Sequence, residues 1–403
     1  MPESELHLAA AAVLAACRRG QPWPAAALTL LIESGSPVLF SQVIEPLCDA
    51  FEPVYCGAYA DLFSSVVEQA GSGLHAAELR SRYEQIRRPA RFGGPEPDHV
   101  CVLSRVTLGA DIAVTSVLLD AAKRRFPRAR IFFVGPAKNY ELFNADPRIE
   151  HLPAPYARTA QLADRLQASL ALHALLPPGA LVIDPDSRLS QLGIVPLTAD
   201  PSRHLFFESR SAGADSGSAS ITGLAAHWAA EVLDTPEARN YVATRTEAAR
   251  ADAGMIAVSL GVGENPAKRF PDPFEKDLIR SLGESGRPVL IDLGAGGEEE
   301  ERVRKAIEAN RASSALVSVW KGSFAAFAAS IAASDLYVGY DSSGQHAAAA
   351  FGVPRLTLFA GFPNERFFAR WQPAGRGPTV AVRVDEPDAI ALTRAHLKQL
   401  LRH

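Results

Sequence analysis

The sequence predicts an α/β protein: two facing doubly wound domains behind an N-terminal helical segment. Three observations lead there. From Val100 onward, short apolar runs alternate with helical stretches, the pattern of a parallel sheet wound with helices. The stretch Leu336–Phe359, LYVGYDSSGQHAAAAFGVPRLTLF, is by itself a strand–turn–helix–strand unit. Residues 1–96 show helical periodicity and punctuation but no strand candidate.

The 403 residues suffice for two or three domains, and the formal net charge of -4 argues against a general nucleic-acid binder. Cys17, Cys48, Cys56 and Cys101 are scattered without a Cys-x-x-Cys pair, so neither a zinc ribbon nor a disulfide framework is suggested, and a cytoplasmic setting fits. The start carries two early acids and no basic region, unlike a signal peptide. No apolar run reaches transmembrane length.

Within residues 1–96, Ser4 can cap a first helix whose apolar face includes Leu8, Val13, Leu14 and Cys17. Helical runs Trp23–Ile32, Val43–Phe51, Ala58–Gln69 and Leu74–Ile86 follow, punctuated by Gly20, Pro53, Gly71 and Gly73. The segment reads as a packing or oligomerisation module, with a docking surface for a partner or membrane as the alternative. Arg87–Pro95 is a linker by composition. The first α/β domain, 97–251, holds strands at Val100–Leu103, Arg130–Val134, Leu181–Ile183 and His204–Phe207, and helices at Asp111–Phe126 and Thr159–Leu175. Ser220–Leu233 and Glu237–Ala251 read as bridging helices. The second domain, 252–384, holds strands at Ile256–Leu260, Val289–Leu293, Leu336–Val338 and Arg355–Phe359. Its helices are Phe274–Leu282, Glu298–Ala309 and Phe324–Ala333. A last helix within 385–403 is expected to pack back across the domain junction.

Ligands of open α/β sheets bind outside the carboxyl ends of the strands, so the loops there are the candidate sites. Asp341-Ser342-Ser343-Gly344-Gln345-His346 leads from a strand into an Ala-rich helix whose free N–H groups and dipole suit a diphosphate. Asp341 and His346 together read as a ligand site; Ser342 and Ser343 read equally well as caps. Asp111 follows the first strand, as a general base or as the cap of the helix after it. Lys268, taken alone, is a surface lysine, and Glu298 opens a run of acids that reads as a solvated helix face. Arg105 and Arg188 follow strands of the first domain; they could meet an anionic acceptor or form surface salt bridges. Asp184, Asp186 and His151 lack the spacing of a metal-ligand set, so no metal is expected.

Four places together resemble one family. They are Leu103–Asp111, a strand followed by a Gly–Asp turn; Ser259-Leu260-Gly261 with Lys268-Arg269-Phe270-Pro271; Leu293-Gly294 followed by Glu298; and Asp341–His346 followed by the Ala-rich helix, Gly352, Pro354 and Phe359. From about Val100 to Val384 the chain resembles glycosyltransferase family 9, the ADP-heptose:lipopolysaccharide heptosyltransferases. The resemblance implies GT-B architecture, two facing Rossmann-like domains. It implies metal-independent transfer of a sugar from a nucleotide-diphosphate sugar, with ADP-heptose the best guess, to a hydroxyl of a glycan or glycolipid in lipopolysaccharide biosynthesis. No cofactor beyond the donor substrate is implied; the place is the cytoplasm, with peripheral contact at the inner face of the membrane as an extension.

The resemblance also assigns roles. Gly261, Lys268, Glu298, Asp341, Ser342, Ser343, Gly344 and His346 would bind the donor. Lys268 would stabilise the leaving diphosphate, and Glu298, or Glu299 beside it, would meet a ribose hydroxyl. Asp111 would be the base, and Arg105 and Arg188 would lie on the acceptor side. The chain departs from the family pattern where Ala110 separates Gly109 from Asp111, where Ser343 replaces a glycine, and in the helical segment before Val100. The rival readings are a nucleotide-sugar epimerase or hydrolase on the same architecture, and a non-catalytic scaffold.

Overall fold

The computed structural model describes residues 3–88, 90–213, 219–263, 265–294, 296–311 and 315–401; Pro89 of the linker lies outside them. The chain opens with helices α1 (Glu3–Arg18), α2 (Ala25–Glu33), α3 (Glu45–Cys48), α4 (Pro53–Gln69) and α5 (Ala76–Ile86). Pro53 opens α4 in its first turn, where a missing N–H costs nothing. Their apolar faces do not close on themselves. Val13, Phe63 and Val67 share one core with Leu162, Ile194, Val195 and Phe206 of the following domain.

The first domain runs β1 (His99–Leu103), α6 (Leu108–Ala110), α7 (Ser116–Arg125), β2 (Arg130–Gly135), α8 (Ala137–Tyr140), β3 (Ile149–Pro153), α9 (Leu162–Leu175), β4 (Leu181–Asp184), β5 (His204–Phe206) and α10 (Ile221–Leu233). The second runs β6 (Ile256–Ser259), α11 (Phe274–Gly283), β7 (Val289–Asp292), α12 (Gly297–Glu308), β8 (Val317–Trp320), α13 (Phe324–Ala332), β9 (Leu336–Tyr340), α14 (Ser343–Phe351), β10 (Arg355–Phe359), α15 (Glu365–Trp371), β11 (Thr379–Arg383) and α16 (Ala389–Leu400).

Both sheets are parallel throughout, in the orders β3-β2-β1-β4-β5 and β11-β10-β9-β6-β7-β8. The winding reverses between β1 and β4 in the first and between β6 and β9 in the second, and each reversal opens a crevice at the strand ends. Central strands such as β9 and β10 are buried along their whole length, as helices on both faces require. The domains also pack on each other: Ile112, Val117 and Leu118 join Phe327, Ile331, Ala347 and Ala348 in one core.

Three expectations need correction. Residues 237–251 are irregular, not helical. Their backbone N–H groups are spent on tertiary partners instead: Arg239 on Asp120 at 3.1 Å, Tyr241 on Ser116 at 3.2 Å and Ala243 on the Leu142 carbonyl at 2.8 Å. The last helix does not cross the domain junction; α16 packs on α11, β10 and β11. The crossing falls to α15, whose buried Arg370 donates to the carbonyls of Ala219 at 2.5 Å and Ala212 at 3.1 Å. The helix expected from Asp111 starts earlier, at Leu108, and a π turn over Asp111–Thr115 separates α6 from α7; such turns recur at functional sites.

Candidate active site

Lys268 and Asp341 stand on the loops after β6 and β9, the strands that flank the reversal of the second sheet. Lys268 Nζ donates to Asp341 Oδ2 at 2.7 Å and to the Asp341 carbonyl at 3.3 Å. The lysine rides on a short 3₁₀ turn, Pro266–Lys268, that Asn265 starts by accepting from the Ala267 N–H. A Cβ at Gly361 would lie 2.4 Å from the Ala267 carbonyl, so the loop after β10 lies directly against this turn. The second oxygen of Asp341 accepts from Gln345 Nε2 at 2.6 Å, and the same amide reaches the Trp371 carbonyl at 3.2 Å.

The start of α14 lies beside this pair. Ser342 occupies the cap position without a side-chain cap bond, so the capping expectation fails for it; Ser343 is the first helical residue. The first N–H groups of a helix have no partner within it. Gly344 is required here, because a Cβ would lie 2.3 Å from the Tyr337 hydroxyl. Buried Gln345 Oε1 and His346 Nδ1 have no hydrogen-bond partner. Burial pushes the His346 pKa down to about 4; Asp341 pulls it upward while Lys268 and Arg355 push it further down. The ring is therefore neutral near pH 7, with Trp371 edge-on at 5.9 Å. An orphaned nitrogen and oxygen beside a helix N-terminus and a lysine suit a hydrogen-bonding anionic ligand such as a diphosphate.

The acidic run contributes a different residue from the one expected. Glu298 is exposed, whereas Glu299 turns into the strand ends, accepting from the Val262 N–H at 2.7 Å. Gly261 lets it approach: a Cβ there would sit 3.0 Å from Glu299 Oε1. Glu299, one residue further along α12, therefore occupies the position sought for Glu298. Asp292, at the end of β7, has its pKa raised to about 6 by burial, against the pull of the Gly294 N–H and with a further push from Glu299.

Across the junction, Asp111 does not cap the helix that follows β1. It is fully buried, and Thr107, not Asp111, holds the cap position. Its carboxylate accepts from Ser104 Oγ at 2.6 Å, the Arg105 N–H at 2.6 Å, Thr115 Oγ1 at 2.6 Å and Asn139 Nδ2 at 2.5 Å. Burial raises its pKa against the pull of these four donors. The four donors and this carboxylate together tie the β1 turn to the start of the helical segment and to Asn139.

Arg105 is similarly committed, donating to the Pro185 carbonyl at 2.6 Å and Ser209 Oγ at 2.7 Å. Burial pulls its pKa down, partly offset by Asp186. Arg188 differs: it is half-buried, and its side chain forms no hydrogen bond or ion pair with any described residue, while its carbonyl accepts from the Gln191 N–H at 3.2 Å. Burial opposes its charge, but Cys48, Tyr156, Asp49 and Glu45 raise its pKa above the ordinary arginine value. Of the two arginines expected on the acceptor side, only Arg188 is available. Asp184 is engaged by His204 at 3.1 Å and the Ser187 N–H at 2.7 Å, and Asp186 by Arg210 at 2.9 Å. Among the described residues, no group of three or more His, Cys, Asp or Glu side chains could hold a metal.

The sequence reading missed the loop between α3 and α4. Phe51 is buried in the interdomain core at a left-handed φ of 54°, with its ring edge-on to Phe367 and Trp371 at 6.0 and 6.2 Å. The Ala50 carbonyl accepts from Asn364 Nδ2 at 3.0 Å, and Glu52 pairs with Arg366 at 3.7 Å. The N-terminal segment thus reaches the domain that carries Lys268. An aromatic two residues before Pro53 was the sequence signal, and it does not name a partner. A separate open hollow of about 510 Å³ lies at the far end of α14, lined by Asn240, Ala349, Gly375 and Arg376, away from these loops.

Two parallel Rossmann-like sheets with facing strand-end loops define a GT-B-type architecture, the fold of a large class of glycosyltransferases. The E. coli heptosyltransferase WaaC, solved with ADP, superposes with a TM-score of 0.54 at 21% identity, over 75% of this chain and 99% of that one. E. coli ADP-heptose lps heptosyltransferase II gives 0.52 at 16%, over 75% and 98%. The glycosyltransferase family 9 protein of Veillonella parvula gives 0.54 at 14%, over 76% and 99%. At such identities the likeness is one of fold. No curated protein matches the chain. Residues 221–387 match the model of glycosyltransferase family 9 (heptosyltransferase). This match includes Lys268, Glu299, Asp341 and the whole of α14.

Proposed function

We propose that this protein transfers a sugar from a nucleotide-diphosphate sugar, with ADP-heptose the favoured donor, to a hydroxyl of a glycan or glycolipid. The observation that carries the reading is the Lys268–Asp341 pair at the sheet reversal, beside the α14 N-terminus and the unpartnered atoms of Gln345 and His346. The family match covers these residues, and two structures of similar fold contain ADP and an ADP-2-deoxy-2-fluoro heptose.

In this reading the diphosphate lies at the N-terminus of α14, where helix N–H groups and the neutral His346 donate to it. Lys268 exchanges part of its bond to Asp341 for the leaving phosphate and stabilises charge as the glycosidic bond breaks. Glu299 and the glycines at 261 and 294 shape the nucleoside side of the crevice. The acceptor approaches from the first domain, where Arg188 is the available cation. Peripheral contact with a membrane belongs to this reading if the acceptor is a lipid; no helix among the described residues is long and apolar enough to cross one.

Incubating the purified protein with a panel of nucleotide sugars and glycan acceptors, read by mass spectrometry, tests this. Transfer with release of the nucleoside diphosphate is the expected result. Donor cleavage without transfer would favour a hydrolase, and inertness toward every donor would favour the scaffold.

A further inference from the structure

We infer that Phe51, carried by the N-terminal helical segment, is a positioning residue of the donor site: its ring holds Phe367 and Trp371 in place against Lys268, Gln345 and His346. The inference rests on the donor site of the transferase reading. Phe51 lies outside residues 221–387, the part of the chain that matches the family model, so the assignment gives the N-terminal segment a share in a site carried by the matched part.

The support is needed at α15. This helix has seven residues, too few to hold its own shape in water. Its last residue, Trp371, acts on the donor loop in two ways. The Trp371 carbonyl accepts from Gln345 Nε2 at 3.2 Å, and its ring meets the His346 ring edge-to-face at 5.9 Å. Gln345 Nε2 also donates to Asp341, the partner of Lys268. A second route runs through the middle of α15, where the Phe367 ring centroid lies 5.9 Å from Lys268 Nζ. The unpartnered Nδ1 of His346 can serve a phosphate only while the imidazole keeps its orientation, and Trp371 packs against that ring.

Phe51 touches both of these aromatic residues. Its ring centroid is 6.0 Å from that of Phe367 and 6.2 Å from that of Trp371, both contacts edge-to-face. It is buried in the interdomain core at a φ of 54°, a conformation that a bulky residue keeps only where its surroundings enforce it. The backbone on each side is tied to α15. The Ala50 carbonyl accepts from Asn364 Nδ2 at 3.0 Å, and Glu52 pairs with Arg366 at 3.7 Å. Asn364 is also the cap of α15, its Oδ1 accepting from the Phe367 N–H at 2.7 Å. At the other end, Arg370 ties the helix to the Ala219 and Ala212 carbonyls of the first domain. The short helix is thus held at its start by the N-terminal segment, near its end by the first domain, and between them by the Phe51 ring.

The test measures ADP affinity by calorimetry and steady-state transfer for wild type, Phe51→Ala, Asn364→Asp and Val13→Ala. An edge-to-face ring contact is worth roughly a two- to tenfold change in an equilibrium, and Phe51→Ala removes two. The expected result is ADP affinity and donor KM worse by about tenfold, turnover lower by at least about tenfold, and acceptor KM within about twofold of wild type. Asn364→Asp keeps the cap oxygen and removes the donor to Ala50 without emptying the core, so it decides the matter even where Phe51→Ala does not fold; its ADP affinity is expected to fall at least about threefold. Val13→Ala loosens the N-terminal core elsewhere and should bind ADP as wild type does. Wild-type ADP affinity in a folded Phe51→Ala, or in Asn364→Asp, would overturn the assignment. So would an equal loss in Val13→Ala, which would make the effect a general loosening. Wild type that binds ADP but transfers no sugar fails the transferase step alone, and the ADP affinities still decide the role of Phe51.

Discussion

Gly109 of the first domain lies against Ser343 of the second: a Cβ at 109 would sit 3.3 Å from the Ser343 Cα and 3.3 Å from His346 Cδ2. The turn after β1 therefore touches the start of α14, and the two sheet reversals face each other with no side chain at 109 between them.

A branched side chain at 109 should force this contact open. Overpacking of this kind costs about 1–3 kcal/mol, so Gly109→Val is expected to lower the unfolding free energy by about that amount. It should also lower turnover at least about tenfold, since small misplacements of reacting groups cost rate steeply. Urea unfolding and steady-state rates check both. A stable, fully active variant would mean that the contact is not needed for catalysis.

Substitutions at Asp111 should separate stability from rate. Asp111→Ala strands the Ser104, Thr115 and Asn139 side chains and the Arg105 N–H, and the loss is expected to reach roughly 2–4 kcal/mol. If Asp111→Asn folds at wild-type stability but has lost its rate, Asp111 is the base; a rate near that of wild type would leave it a structural residue of the β1 turn.

His346 makes the fold acid-sensitive. Its folded pKa of about 4 lies below the ordinary 6.5. The unfolded chain therefore takes up the proton first, and stability is complete above about pH 6.5 and is lost as the pH falls through about 4. The full loss is about 3 kcal/mol. Unfolding free energy followed from pH 7 to 4 should show this slope, and His346→Gln should flatten it. An unchanged slope in the variant would place the acid-sensitive group elsewhere.

Charge at the leaving diphosphate is assigned to Lys268 and the α14 N-terminus, so a chelator such as EDTA should leave the transfer rate unchanged. Activity abolished by chelation and restored by a divalent ion would contradict that assignment.

Much of this was legible because the relevant signals are local. In LYVGYDSSGQHAAAAFG the strand, the turn, the helix and its glycine stop follow each other within one stretch, and β9 and α14 lie where that order puts them. The alternation of strands and helices likewise predicts two α/β units, and the structure has two parallel sheets. Non-local facts were not legible. Residues 237–251 contain good helix formers, yet Arg239, Tyr241 and Ala243 find hydrogen-bond partners in distant elements. Edge strands β3, β8 and β11 are short and partly exposed, so their apolar signal is weak. Glu298 and Glu299 are alike in sequence, and only the register of α12 points the second toward Val262. The loop at Ala50 and Glu52 reaches the second domain through Asn364 and Arg366, more than 300 residues away along the chain.

The most direct test of the account is the transfer rate of Lys268→Ala with ADP-heptose under saturating donor, relative to wild type. Removing one charge-stabilising donor typically costs about ten- to a thousand-fold in turnover. The account predicts a loss in that range with the fold intact. A near-normal rate would remove Lys268 from the mechanism and, with it, the assignment of the crevice between β6 and β9 as the place where the glycosidic bond breaks.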